Sequence, residues 1–456
     1  MNRHQWWLLP VLVLCVLTAG PLSAQRPNRV QRANMGEYGD RLYADAMIVP
    51  RLSGDSADLF VSFRVAHDAL TFTRVTDMNN DAGNFAAEFT LSVEVRDSIG
   101  IIRSRVRFKD TAYVNSYDAS IDRSAMHHGS CRIGIVPGTY KVVLETLGQR
   151  ESTKRAVTLS QLSFTPSARG LIIPGYIGSE RREGSMWTIE SLVFNRNVPF
   201  GARPCVALFV TRDTGSATFD YAIHQLPYGP KDIRWWVEAD YTGTVRSRSD
   251  LLLEGQFESN RAARVSLTTQ SSRNYSTIVV PVDAPQLVPG SYVVRLVRRG
   301  STDTVELPFQ VQWETMPQSL RTLSYALESL VYICPEEQLD SLSDGSDAEN
   351  RERLMSWWRR SDPTPETAYN ERLAEYYMRV DHAAVAFSSV NEPDGTFTDR
   401  GKVFILFGRP TKIEKKLARG GSSVELWIYR SGVRKTFEFA VNDDGVYKLK
   451  SSIDTR

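Results

Sequence analysis

The segment Asp394-Gly395-Thr396-Phe397-Thr398-Asp399-Arg400-Gly401 runs directly into Lys402-Val403-Phe404-Ile405-Leu406-Phe407 and stops at Gly408-Arg409-Pro410. A polar loop bounded by glycines, a short apolar run and a Gly-x-Pro terminator predict a shaped turn feeding a strand over 402–407. On the C-terminal side, Val424, Leu426 and Ile428 alternate with Glu425, Trp427 and Tyr429, which predicts a strand over 424–429. Further strands are expected over 435–441 and 446–449, joined by the tight turn Asn442-Asp443-Asp444-Gly445. On the N-terminal side the apolar spacing changes to three and four: Leu320, Leu323, Leu327, Leu330 and Val331 fall on one face of a helix. A second helix is expected over 347–360, stopped by Asp362-Pro363. The third has Thr364 as its cap, Pro365 in the first turn and Glu366 at the positive helix end. Its inward stripe is Leu373, Tyr376 or Tyr377, Val380, Ala384 and Phe387. Residues 314–456 therefore read as an α+β domain, three helices leading into an antiparallel meander.

Everything upstream of Trp313 reads as β structure. Phe89, Leu91, Val93 and Val95 alternate with Thr90, Ser92, Glu94 and Arg96, and a turn at Asp97-Ser98-Ile99-Gly100 returns through Val106 and Phe108. Period two around a tight turn describes a hairpin with one buried face. Val136-Pro137-Gly138-Thr139-Tyr140 recurs about one domain length later as Val288-Pro289-Gly290-Ser291-Tyr292, each copy opening the penultimate strand of its region. The repeat predicts two tandem β-sandwich modules of immunoglobulin-like type, 41–166 and 167–313. The second holds the strand Val206 to Val210 and the pair Trp235-Trp236, whose rings cannot both face one core because adjacent strand residues point to opposite sides.

At the N-terminus, Arg3, an apolar run from Trp6 to Leu17 and Leu22-Ser23-Ala24 have the three-part layout of a secretory signal peptide, with cleavage expected after Ala24. The run is shorter than the roughly 20 residues a membrane-spanning helix needs. Residues 25–40 are polar and aperiodic, a flexible entry segment. The mature chain is expected to be exported, to the periplasm or onward to the cell surface, and to contain no transmembrane segment. Its charge is nearly balanced, since the leader takes only Arg3 from the 55 Lys and Arg and leaves 54 against 53 Asp and Glu, which gives no electrostatic case for nucleic acid. Cys131, Cys205 and Cys334 are an odd number and permit at most one internal bridge.

The C-terminal region resembles the GWxTD domain. The matching pieces are Trp357-Trp358-Arg359-Arg360 with Asp362-Pro363-Thr364-Pro365, Asn370-Glu371, Glu375-Tyr376-Tyr377 with Arg379-Val380, Gly395-Thr396-Phe397-Thr398-Asp399-Arg400-Gly401, and Phe407-Gly408-Arg409-Pro410. Thr396 stands where the family has tryptophan. The resemblance implies an exported bacterial module preceded by β-rich segments, and brings no catalytic residues with it.

The chemistry-bearing residues do not converge in sequence. His67, His127, His128, His224 and His382 lack metal-ligand spacing, and Gly129-Ser130-Cys131 lacks the second glycine of a nucleophile elbow. Glu336-Glu337 stand at a helix start, where acidic residues suit the helix dipole. No metal or cofactor is expected. The reading that follows is a non-enzymatic exported protein of the bacterial cell envelope that binds or scaffolds other envelope proteins. The candidate contact residues are Gly395, Phe397, Thr398, Asp399, Arg400, Gly401, Gly408 and Pro410. Two other classes stay open: an envelope enzyme using Asp399, Arg400 or Tyr429, and a glycan-binding protein stacking sugars on Trp235 or Trp236.

Overall fold

The computed structural model describes residues 42–51, 55–75, 83–122, 125–147, 156–164, 172–183, 186–212, 215–226, 241–249, 252–256, 264–268, 275–302, 304–417 and 423–454. The leader, the entry segment and the Trp235-Trp236 pair lie outside them. Most of the described chain is antiparallel β-sheet, followed by helices and a last small sheet.

The expected hairpin forms between Phe85–Asp97 and Ile102–Val114, with Val93 opposite Val106. Asp97 closes the turn by accepting from the backbone N–H groups of Ile99 and Ile101 at 3.1 and 2.8 Å, and Gly100 supplies the positive φ of 89° that an L side chain resists. Phe89, Leu91, Val93 and Val95 are buried, as the alternation requires. Ala57–Ala66 departs from that pattern, being buried on both sides apart from the partly buried Arg64. It sits mid-sheet between Leu42–Pro50 and Met126–Ile135 and is covered on both faces. Phe63 meets Phe108 of the hairpin at 4.9 Å on one face, while Phe60 and Ser62 share a cavity wall with Tyr176 on the other.

Both copies of the repeated phrase fold alike. The Tyr140 hydroxyl donates to the Val136 carbonyl at 2.7 Å, and the Tyr292 hydroxyl to the Val288 carbonyl at 2.9 Å. Each phrase opens a strand, Gly138–Leu147 and Gly290–Arg298, that pairs with the next strand in the chain.

Two cores meet at Cys205–Thr211. Val206, Leu208 and Val210 belong to a core that also holds Leu59, Val61, Leu91 and Leu144, whereas Cys205, Ala207 and Phe209 belong to a second with Phe219, Val294 and Phe309. The strand is buried along its whole length because each face serves a different core. The boundary expected at 166/167 falls in 165–171, outside the described residues, and the first core runs past it to Tyr275.

The helical region corrects the sequence reading in three places. The expected first helix is three short pieces, the 3-10 turn Gln318–Arg321, the helix Leu323–Glu328 and the 3-10 turn Ser329–Tyr332. The tighter winding sends Leu330 inward and leaves Val331 half exposed. The helix expected to start at Thr364 begins six residues later: Asn370 is its cap, accepting from Leu373 N at 2.9 Å, and Glu371–Ala386 is the helix. Residues 364–369 are drawn instead against the β region, with Ala368 N donating to Pro285 O at 2.8 Å and the Tyr369 ring 5.2 Å from that of Phe200. Both Tyr376 and Tyr377 are buried, and Ala383 rather than Ala384 takes the inward place. Asp347–Arg359 forms as expected, with a reciprocal capping box between Ser346 and Glu349, and Glu336–Ser343 adds a further helix.

The third correction concerns the motif itself: 402–407 is not a strand but most of the helix Asp399–Phe407. Val403 packs into the core of the meander and Ile405 into the core of the helices. Residues two apart on a helix point about 200° from one another, so a helix wedged between two cores shows the period-two burial of a strand. The meander has four strands, Lys412–Leu417, Ser423–Ile428, Lys435–Val441 and Tyr447–Asp454, of which the first is not apparent in the sequence pattern.

Candidate functional site

The loop before the motif helix is built from close backbone approaches. Gly395 opens a 3-10 turn, Gly395–Phe397, and lies against the end of the long helix, where a Cβ would drive into the Ala383 carbonyl oxygen. Gly401 sits in the first turn of the motif helix, where a Cβ would collide with the carbonyl oxygen of Gly395. Thr398 caps that helix, accepting from Gly401 N at 2.9 Å and donating to Gly395 O at 2.8 Å. At the other end Gly408 has φ 73°, and the Arg379 guanidinium donates to the carbonyls of Ile405 and Leu406 at 3.2 and 3.3 Å. Those are final-turn carbonyls that have no partner within the helix.

Asp399 and Arg400 fasten the helix to the meander. An Asp399 carboxylate oxygen accepts from Leu449 N on the last strand at 2.7 Å. The Arg400 guanidinium stands 3.5 Å from the buried Glu425 and lies over the Tyr447 ring at 4.0 Å. Glu425 also accepts from the Trp427 indole N–H at 3.3 Å and pairs with Lys415 at 3.3 Å. Tyr429 is buried, donates its hydroxyl to Gly408 O at 2.8 Å, and burial raises its pKa against the pull of Arg379.

Thr396, in the tryptophan position, is fully buried. Its hydroxyl lies 2.8 Å from that of Tyr325, and its carbonyl accepts from the Tyr332 hydroxyl at 3.0 Å. Asp394 joins this network, taking Thr396 N at 3.0 Å and the Tyr325 hydroxyl at 3.1 Å. Burial pushes the Tyr332 hydroxyl up to about 12, helped by Asp394 and Asp399. A large ring is thus replaced by a small hydroxyl held between two tyrosines.

Of the eight candidate contact residues, Gly395, Thr398, Gly401, Gly408 and Pro410 are buried, Asp399 and Arg400 are half-buried, and only Phe397 is exposed. Phe397 stands edge-on to Tyr325, and the exposed Lys402 reaches over Tyr332 at 5.8 Å. Sequence reasoning missed Tyr325, Tyr332, Glu425 and Tyr447 because each meets the loop only in the folded chain.

Residues 290–451 match the family model of the GWxTD domain. The chain carries a GWxTD domain. The match begins at Gly290, so the GWxTD domain takes in the last two β strands before Trp313 as well as the helices and the meander. No curated protein matches the chain. Among solved structures, one titled "Complete structure of manganese lipoxygenase of Gaeumannomyces graminis and partial structure of zonadhesin of Komagataella pastoris" is 10% identical, covering 59% of this chain and 93% of its own. Its TM-score is 0.13, too low to carry an argument.

Outside the domain, His127 Nε2 lies 2.8 Å from Asp110, and within it His382 stacks on Phe404 at 4.5 Å. Among the described residues no group of three or more His, Cys, Asp or Glu is arranged to hold a metal ion. Cys131, Cys205 and Cys334 are all free thiols, and burial pushes the first two up to about 12. No helix among the described residues is long and apolar enough to cross a membrane.

Proposed function

We propose that the protein is a non-enzymatic, exported component of the bacterial cell envelope that scaffolds or binds other envelope proteins through its GWxTD domain. The observation that supports this is how the motif uses its polar groups. Thr398, Asp399, Arg400 and Tyr429 each meet a partner within the domain, which disfavours an acid, base or nucleophile among them. The motif then acts as a rigid mount for an outward patch of Phe397 and Lys402, flanked by the exposed Val331 and Ile333 on either side of Tyr332. An aromatic and a cation beside aliphatic side chains suit a protein surface.

The β regions 41–166 and 167–313, the second of which runs into the matched domain, we read as immunoglobulin-like sandwich modules in tandem. The matched bonds from Tyr140 to Val136 and from Tyr292 to Val288 support this, since a tyrosine tied to the backbone a few residues upstream marks sandwich corners. Export by the N-terminal leader and residence in the periplasm, or at the cell surface, complete the proposal.

The test is cross-linking in the native envelope, followed by mass spectrometry, on wild type and on Phe397→Ala combined with Lys402→Glu. The double variant is expected to keep its melting temperature and lose its cross-linked envelope protein. Retention of the same cross-links would refute the proposed patch.

A further inference from the structure

A cavity of about 10 Å3 lies where Leu42–Pro50 and Ala57–Ala66 meet Ile172–Glu183 and Met186–Ser191. Asp45, Ser62, Tyr176 and Ser191 contribute its polar lining, Met47 and Phe60 its apolar side. The Tyr176 hydroxyl is buried there with no hydrogen-bond partner, on a side chain only 3% exposed. The Asp45 carboxylate, also in the cavity lining, accepts on both of its oxygens. One oxygen accepts from Arg196 N at 2.5 Å, and the other from the Ser191 hydroxyl at 2.7 Å and Phe194 N at 3.3 Å.

The Tyr176 hydroxyl has a donor with nowhere to go, and the Asp45 carboxylate, a strong acceptor, lines the same cavity. We propose that this cavity is a binding site for a single water molecule, which accepts from the Tyr176 hydroxyl and donates to Asp45, with Ser62 as its third partner. The volume suits that ligand and nothing larger, since one water centre needs roughly 10–15 Å3 and two to four polar partners. Bound there, the water links the first sheet, through Asp45 and Ser62, to the strand that carries Tyr176. It completes a polar joint buried among apolar side chains.

The experiment is a pair of high-resolution crystal structures of the full chain, wild type and Tyr176→Phe. The wild type is expected to show one ordered water within hydrogen-bond distance of both Tyr176 Oη and Asp45, and the variant to lose that peak. A wild-type map with no peak, or with Tyr176 bonded directly to Asp45, overturns the proposal. So does a variant that keeps the water in place. Should the variant fail to fold, the wild-type map alone decides.

Discussion

Two segments of this molecule follow tight backbone paths, and they are made in opposite ways. At 394–410 close approach is permitted by glycine: Gly395 and Gly401 let backbone meet backbone, and Gly408 takes the left-handed φ. At 191–197 the left-handed residues are Val193, Asn195 and Arg196, with φ of 48°, 55° and 63°. Such angles are disfavoured for L side chains, above all a β-branched one, and persist only where surroundings impose them. Here the surroundings come from far along the chain. Asp45 holds Phe194 N and Arg196 N, Ala44 N donates to Asn195 at 2.9 Å, and Arg64 donates to Val193 O at 2.9 Å while pairing with Glu314. The first turn is set by its own residues, and the second by what docks on it.

The sharpest way to break this comparison is to add a methyl group. Gly401→Ala is expected to cost at least about 3 kcal/mol, because the clash is with backbone that cannot move aside. Urea unfolding of the purified chain, or failure to recover it folded, reads the effect. An unchanged midpoint would mean that the approach is looser than described.

Next in size is Asp45→Ala. It strips the partners from Phe194 N, Arg196 N and the Ser191 hydroxyl, and is expected to cost about 2–4 kcal/mol by leaving buried donors unpaired. The same unfolding measurement checks it. Loss below about 0.5 kcal/mol would show that the loop keeps its shape without the carboxylate.

Asp45 also gives the joint a pH signature. Burial raises its pKa, against the pull of Ser191, Arg196 and Phe194, so the folded chain holds this proton more tightly than the unfolded one. Its contribution is fully present below the ordinary carboxylate pKa of about 4 and is lost as pH rises through the folded value. Melting temperature followed upward from about pH 4 should fall less steeply in Asp45→Asn than in wild type. Parallel curves would contradict the raised value.

The smallest expected effect separates strain that is imposed from strain that is merely tolerated. Arg434 has φ 46° in an exposed turn of the meander, and Arg434→Gly is expected to stabilise by about 0.5 kcal/mol, relief of strain exceeding the lost chain entropy. Asn195→Gly, which also removes the acceptor of Ala44 N, should destabilise instead. Differential scanning calorimetry of both variants resolves the sign.

This contrast explains what was legible in the sequence. The glycine-bounded loop, the hairpin at Asp97–Gly100 and the repeated Val-Pro-Gly-x-Tyr phrase carry their conformations in their own residues, and each was visible. The motif helix was misread as a strand because Val403 and Ile405 face different cores, and an apolar run buried on two sides has no distinguishing period. The start at Asn370 was hidden by the better cap signal at Thr364-Pro365-Glu366, which docking onto Pro285 and Phe200 overrides. Nothing local marks Val193 or Arg196, since their partners lie some 130 to 150 positions upstream.

The central claim is that the polar residues of the GWxTD loop fasten one part of the domain to another. Equilibrium unfolding of Arg400→Ala tests it most directly, because the variant leaves the buried Glu425 without the guanidinium beside it. A loss of about 2 kcal/mol or more is expected. A chain with wild-type stability that loses the cross-links expected of the proposed envelope contact would contradict the account, and would make Arg400 a contact residue instead.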